Sequence, residues 1–340
     1  MRIMKFIEQV QLSDLINVAD IGAASINETP VYSDLVMGGY GHLFAFDGDS
    51  RQIPALRKLY GDHATVLNHF LADGDPHTAY ICHEDTGMTS LLKPNQTVLA
   101  FFNNFSLFGK VLKEERIQTT RLDDIDEIGD LHFVKMDVQG SELNILKNGL
   151  KKLSNCVAVQ LEVSFICLYE NQPGFGEIDM WMRSIGFAPH RFLDIKRWSI
   201  TPTVNSNNFR RPFNQLLEAD IIYVGDPLNM KNRTSGQLKM LAVMSEVFFD
   251  SPDLAIHCMR ELVSRKILET KVISQFIAAR AEHRRLHNTL NLQDLQKAPS
   301  WNSSCARQCL IAAIATRHWY RDTTSYGLSP AAICSSHIHV

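Results

Sequence analysis

Four aspartates stand where apolar, β-branched runs give out: Asp20 after NVA, Asp47 after HLFAF, Asp73 after TVLNHFLA and Asp137 after HFVKM. A carboxylate at the end of a strand can hold the hydroxyls of a ribose or take a proton from an acceptor hydroxyl. Asp137 is the most informative of the four. In LHFVKMDVQGSELNILKNGL (131–150) the apolar run ends at Asp137, the chain turns at Gly140, and Leu143, Leu146 and Leu150 follow at helical spacing. That is a strand delivering one carboxylate to a strand-to-helix turn, the crevice where open α/β sheets bind ligands. An aspartate there can also do no more than cap the next helix, and the segment admits both readings.

The first strand narrows the ligand. It runs into DIGAASINE, where a dinucleotide binder would place G-x-G-x-x-G to cradle a pyrophosphate at a helix N-terminus. Only Gly22 is present, followed by Ala23, Ala24 and Ser25, so a phosphate cradle is not expected. Asp47 lies 25 residues after Gly22, near the spacing at which an acid grips an adenosine ribose. Ribose without pyrophosphate points to S-adenosylmethionine; the alternative is that Asp47, Gly48 and Asp49 form only a turn.

A hydroxyl acceptor needs a base. Asp137 is the first choice, its alternative being cofactor positioning alone. Glu162 in VQLEVSF lies in a run that reads as buried, where a carboxylate is costly without a partner, so it is a site residue or half of a structural pair. His190, after Pro189, and His83 lie in segments that could face an acceptor. Phe101, Phe102, Phe105 and Phe108 suit packing under a loop or stacking on a sugar or lipid. The seven cysteines include no CxxC pair, which agrees with a reducing compartment, and Cys305 and Cys309 with His337 and His339 are poorly spaced for zinc. No metal site is expected.

The elements that must position these residues alternate from Ile16 to about Gly225, the pattern of a parallel sheet wrapped by helices. NVADIG, HLFAFDGD, TVLNHFLAD (65–73), HFVKMD, VAVQLEVSF, GFAPHRFLDI and EADIIYVG read as seven strands. The last two, joined without a long helix, predict an antiparallel edge on a mostly parallel sheet. Residues 74–125 read as an insertion with a hairpin around HTAYICHEDTGMTSLL. Residues 1–226 therefore form one domain and 227–297 a helical extension, with Ser251 and Pro252 opening one helix, while 298–340 form a tail expected to be poorly ordered. The extension's apolar faces predict packing on the domain or on a second copy.

Composition excludes some classes. With 340 residues, 21% charged residues and a net charge of −3, no face reads as a nucleic-acid footprint. No run approaches the roughly 20 apolar residues of a membrane span, and a cytoplasmic protein is expected.

In order and spacing, DIGA, FAFDGD, LADGD, GMTSLL, TTRLDDI, VKMDVQGSEL, LEVSFICLYENQPGFGEIDMWMRSIGF and QLLEADIIYV resemble the FkbM-type S-adenosylmethionine-dependent methyltransferases over roughly Asp20 to Asp226. The resemblance implies the class I, Rossmann-like methyltransferase fold. It also implies that Asp20 and Gly22 lie beside the methionine part of the cofactor, with Ala23 also in the cofactor site, Asp47 takes the ribose hydroxyls, Asp73 lies near the adenine and Asp137 sits between cofactor and acceptor. Glu142 and Glu162 are further candidates. Two positions depart from the family's pattern: the glycine-rich first loop is Ala23, Ala24 and Ser25, and the acid often found after the strand-four aspartate is Gln139, which puts metal assistance in doubt. The implied activity is O-methylation of a sugar hydroxyl in a polysaccharide or glycolipid. The alternative is a non-catalytic binding or assembly module, with the C-terminal helices as the contact.

Overall fold

The computed structural model describes residues 2–23 and 29–282. Their strands are β1 (Ile16–Ile21), β2 (Gly41–Phe46), β3 (Ala64–Leu67), β4 (Pro76–Ile81), β5 (Lys113–Gln118), β6 (Phe133–Met136), β7 (Ala158–Ser164), β8 (Phe187–Arg197) and β9 (Leu216–Gly225). The helices are α1 (Arg2–Gln9), α2 (Ser33–Met37), α3 (Ile53–Tyr60), α4 (Gln96–Phe101), α5 (Phe105–Phe108), α6 (Glu142–Lys147), α7 (Leu150–Leu153), α8 (Phe175–Ser184), α9 (Ser235–Val247) and α10 (Pro252–Ser264).

Seven strands form one sheet in the order β3-β2-β1-β6-β7-β9-β8. All run parallel except β9, which is antiparallel to both neighbours. The expected Rossmann-like, mostly parallel plan with an antiparallel edge is present: the edge strand β8 pairs antiparallel with β9, the one strand that runs against the rest. β9 carries the buried run ADIIYV and sits inside, whereas β8 is largely half-buried or exposed and takes the edge. A strand covered on both faces needs apolar side chains on both, and only β9 supplies them.

One face sends Ile21, Met136, Leu161 and Val163 into a core with Leu143, Ile145 and Leu146 of α6 and Ile178 and Met182 of α8. The other places Phe133 against Phe248 and Phe249 just after α9, ring centroids 5.2 and 6.1 Å apart. The chain divides into compact units Met1–Ser274 and Gln275–Val340, so residue 226 is not a boundary between them and α9 and α10 belong to the first. Leu238, Leu241, Met244, Leu254, Cys258 and Leu262 on these two helices are buried. Ser251 precedes α10 as expected, but its hydroxyl caps no helical N–H; it meets His190 Nε2 at 2.7 Å. Residues 298–340 lie outside the described residues.

Two further expectations fail. β3 stops at Leu67, because Asn68 turns its side chain back to the carbonyls of Asp47 and Gly48 at 2.7 and 3.1 Å, and Leu71 bridges to Thr120. Asp73 is thus six residues past the strand end rather than on it. The predicted hairpin reduces to a single bridge, Tyr80 to Ser90, since β4 pairs with the distant β5 instead. That pairing encloses a small second core of Cys82, Met88, Leu99, Phe102, Phe105, Leu168, Tyr169 and Leu217. Most of these residues lie between β4 and β5, Leu168 and Tyr169 follow the end of β7, and Leu217 opens β9 next to that end, so the second core forms a cap at the carboxyl end of the sheet.

Candidate active site

The ends of β1, β2 and β6 converge through one glycine. Gly22 has φ +81°, and a Cβ there would fall 1.9 Å from the Asp137 carbonyl oxygen, so any side chain would force the β1 turn away from β6. The N–H groups of Gly22 and Ala23 both donate to the Phe46 carbonyl, at 2.9 and 3.0 Å, which brings the turn beside Asp47. The structure therefore brings together Gly22, Ala23, Asp47 and Asp137; Ala24 and Ser25 lie outside the described residues.

Asp47 is buried, with Oδ1 accepting from the Asp49 N–H at 2.7 Å and Oδ2 bonded to no described residue. Burial, with Asp49 and Asp20 nearby, pushes its carboxyl up to about 6 against the Asp49 N–H bond. A buried carboxylate with one free oxygen at the end of β2 fits a pair of ribose hydroxyls.

Asp20 is committed elsewhere. Its side chain accepts from the Tyr32 hydroxyl and lies 3.2 Å from Lys135 Nζ, its neighbour across the β1–β6 pairing. Burial opposes the charge on Lys135, but Asp20 and Asp137 raise its pKa. Asp20 is thus half of a buried ion pair within the sheet. Asp73 is bound by His77 Nε2 at 2.8 Å and by Asn144 of α6 at 3.4 Å, and those bonds hold it below its ordinary value despite partial desolvation.

At the ends of β6 and β7 the acids outnumber the cations. Gln139 Nε2 donates to Asp137 Oδ1 at 2.7 Å and to Glu162 Oε2 at 2.9 Å, and its Oε1 accepts from the Tyr169 hydroxyl at 2.9 Å. Lys196 Nζ reaches Glu162 Oε1 at 3.0 Å and Glu218 Oε1 at 2.9 Å. Lys196 faces Glu162 and Glu218 directly, with Asp137 and Asp220 also within its field. Burial, then Asp137 and Glu218, push Glu162 well above the usual carboxylate range, with Lys196 opposing. Lys196 stays charged: burial opposes it, but Glu162, Glu218 and Asp137 raise it. The excess therefore falls on Glu162, which takes up a proton before an unperturbed carboxylate would. An acid at position 139 would add a further negative charge; the amide instead donates to both neighbours.

Glu142 holds the turn. Its Oε1 accepts from the N–H groups of Val138 and Gly140 at 3.0 and 3.2 Å, fixing Gln139 at φ +58°, a conformation costly for a residue with a side chain. Burial raises Glu142 to about 7 although those N–H bonds lower it. Half-buried Asp137 has Oδ1 fixed by Gln139, and its Oδ2 has no partner among the described residues.

His190 is not part of this cluster: it bonds Ser251 and packs near Phe249, where burial lowers its pKa. His83 is exposed at the surface of the cap. Phe102 and Phe105 are buried in the cap core, Phe108 packs against it and Phe101 is exposed. Lys196, Glu218 and Tyr169 were not apparent in the sequence, though Glu218, an acid opening the apolar run ADIIYV, was the available signal. Among the described residues no group of three or more His, Cys, Asp or Glu is placed to hold a metal; Cys305, Cys309, His337 and His339 lie outside them.

A profile of the methyltransferase FkbM domain matches residues 20–189, half of the chain. No curated protein matches significantly. Similar solved structures include magnesium protoporphyrin IX methyltransferase from Synechocystis, with bound SAM (11% identity, TM-score 0.33, 66% of this chain and 76% of that one). Others are precorrin-6y C5,15-methyltransferase from Geobacter metallireducens (11%, 0.32, 66% and 87%) and a protein of the NADB-Rossmann superfamily from Streptococcus agalactiae (12%, 0.31, 80% and 95%). Similarity at this level assigns no residue a role.

Proposed function

The chain belongs to the FkbM methyltransferase family, and on that premise we propose that it transfers the methyl group of S-adenosylmethionine to a hydroxyl oxygen, with a sugar of a polysaccharide or glycolipid as the acceptor. The observation that carries this reading is the acid cluster Asp137, Glu162 and Glu218 facing one lysine at the carboxyl end of the sheet.

The bound cofactor supplies a methyl group already activated on a sulfonium. The protein's task is then to align the acceptor and remove its proton. Asp47 would hold the ribose through its free Oδ2, and the turn at Gly22 and Ala23, packed on the Asp137 carbonyl, would lie beside the rest of the cofactor. Asp137 is the proposed base: Gln139 immobilises Oδ1, which leaves Oδ2 to accept the acceptor's hydroxyl hydrogen. A proton taken up at Glu162 would remove one negative charge facing Asp137 and keep the cluster compatible with a neutral polyhydroxyl ligand. Asp20 and Asp73, already bound by protein partners, support the site from outside it.

Calorimetry with S-adenosylmethionine tests the reading, followed by transfer of labelled methyl to a panel of glycans and glycolipids. Saturable micromolar binding and labelling of a hydroxyl acceptor are expected. A folded protein that binds no cofactor would leave the fold serving as a binding or assembly module.

A further inference from the structure

The cap presents an unusual outer surface. Residues 86–113 and 195–217 contain no Asp or Glu, while lysine or arginine stands at positions 93, 110, 113, 196, 197, 210 and 211 of a chain whose net charge is −3. Lys93, Lys113 and Lys196 reach carboxylates elsewhere. Lys110, Arg197, Arg210 and Arg211 have no carboxylate partner among the described residues.

The two segments are stitched together. The Thr201 N–H donates to the Phe101 carbonyl at 2.9 Å, Phe102 bridges to Ile200, and Asn103 Nδ2 donates to the Thr203 carbonyl at 2.7 Å. Ser199 Oγ holds the Arg211 carbonyl at 3.0 Å, and Asn205 Nδ2 contacts the Pro212 carbonyl at 3.4 Å. The same segments expose large apolar side chains: Leu107 at 69%, Leu112 at 57%, Val204 and Phe213 at 48%, Phe101 at 40% and Ile200 at 39%. The Phe residues at 101–105 thus divide between two jobs, Phe102 and Phe105 filling the core beneath and Phe101 standing outside.

We propose that this face of the cap, residues 101–112 and 197–213, docks on an anionic lipid bilayer. Exposed aliphatic and aromatic side chains among unpaired cations, with no acid, suit a surface that offers both negative headgroups and an apolar interior a few ångströms below. Most of the exposed apolar side chains are aliphatic, which favours lipid over the stacking of nucleic-acid bases. No described helix is long and apolar enough to cross a membrane, so the contact is peripheral. The cap also carries Tyr169, which bonds Gln139, so docking would bring the acid cluster close to the membrane surface. A lipid-linked acceptor follows from this only if the methyl-transfer reading holds; the docking itself does not depend on it.

The test is sedimentation of the full chain with vesicles of phosphatidylcholine alone or with about 30% phosphatidylglycerol, at salt raised from about 0.1 to 0.5 M. Binding to the anionic vesicles, weakened by salt, is expected. Arg210→Glu with Arg211→Glu should reduce it by roughly tenfold or more, and Leu107→Ser with Val204→Ser should abolish what salt leaves. Thermal midpoints equal to the parent's establish that both variants are folded. No sedimentation with either vesicle overturns the proposal, as does binding that neither double variant weakens. Tighter binding to single-stranded RNA than to vesicles would also overturn it. All of these readouts are independent of cofactor and turnover.

Discussion

Two buried acid sites lie in one sheet, Asp20 on β1 and Glu162 on β7 with β6 between them, and they are built on opposite principles. At Asp20 one carboxylate meets one lysine and one tyrosine hydroxyl, and every strong group has a partner. Around Glu162 one lysine serves Glu162 and Glu218 while Asp137 shares only an amide with them, so acid is in excess. A matched pair in low dielectric resists change of either partner. An unmatched cluster has a protonation state that can change, which is what proton transfer requires.

The largest expected effect tests the first half of that contrast. Lys135→Met strands the buried Asp20 charge and should destabilise the fold by about 3–5 kcal/mol in urea unfolding, with Asp20→Asn in the same chain recovering much of it. Lys196→Met should cost less, because Glu162, already pushed above the carboxylate range, can take up a proton. Equal losses would erase the distinction between the two sites.

Asp137→Asn addresses the second half. The amide keeps the shape and removes the basicity, so single-turnover methyl transfer should fall by about 10²-fold or more while cofactor affinity changes little. Matching losses in rate and affinity would reduce Asp137 to a cofactor-positioning residue; an unimpaired rate would move the base to Glu162.

Asp47→Ala should weaken cofactor binding by about 1–3 kcal/mol in calorimetry. Because burial raises Asp47 to about 6, affinity should hold above that pH and fall below it as the carboxylate gains a proton. In the ligand-free protein the sign is opposite: between its ordinary value near 4 and about 6 the native state keeps a proton the unfolded chain has lost, so stability falls as pH rises through that window. Asp47→Asn should flatten both profiles.

The sheet was legible because its signal is local. β1, β2, β6, β7 and β9 are short apolar runs bounded by turns, and their terminal acids could be read with them. β3 is shorter than its letters suggest because the apolar residues of TVLNHFLA continue past Asn68, where a side-chain bond to the β2 turn ends the strand. The cap was not legible. β5 reads KEERIQ, nearly all exposed, and exists through pairing with β4, more than thirty residues earlier, a partnership no local period encodes. Lys196 and Glu218 are hidden in the sequence for the same reason: each looks like a surface charge until β8 and β9 bring them together beside Glu162.

The smallest effect belongs to Glu142, which separates holding a turn from doing chemistry. Its Oε1 accepts two N–H bonds on the loop that carries Gln139, and a glutamine oxygen can accept the same two. Glu142→Gln should therefore leave turnover within about threefold of the parent, whereas a base would show the larger loss expected of Asp137. Its stability profile should change more. Burial lifts Glu142 from 4.5 to about 7, so the native state holds a proton that the unfolded chain releases, and the parent loses stability as pH rises across that interval. Glutamine has no proton to lose, and the unfolding midpoint of the variant should be flatter between those pH values and higher than the parent's at pH 8. A variant as unstable as the parent at high pH would mean that Glu142 is stabilised there by groups other than the two N–H donors. A collapse of turnover with intact stability would place Glu142 among the groups that move the proton.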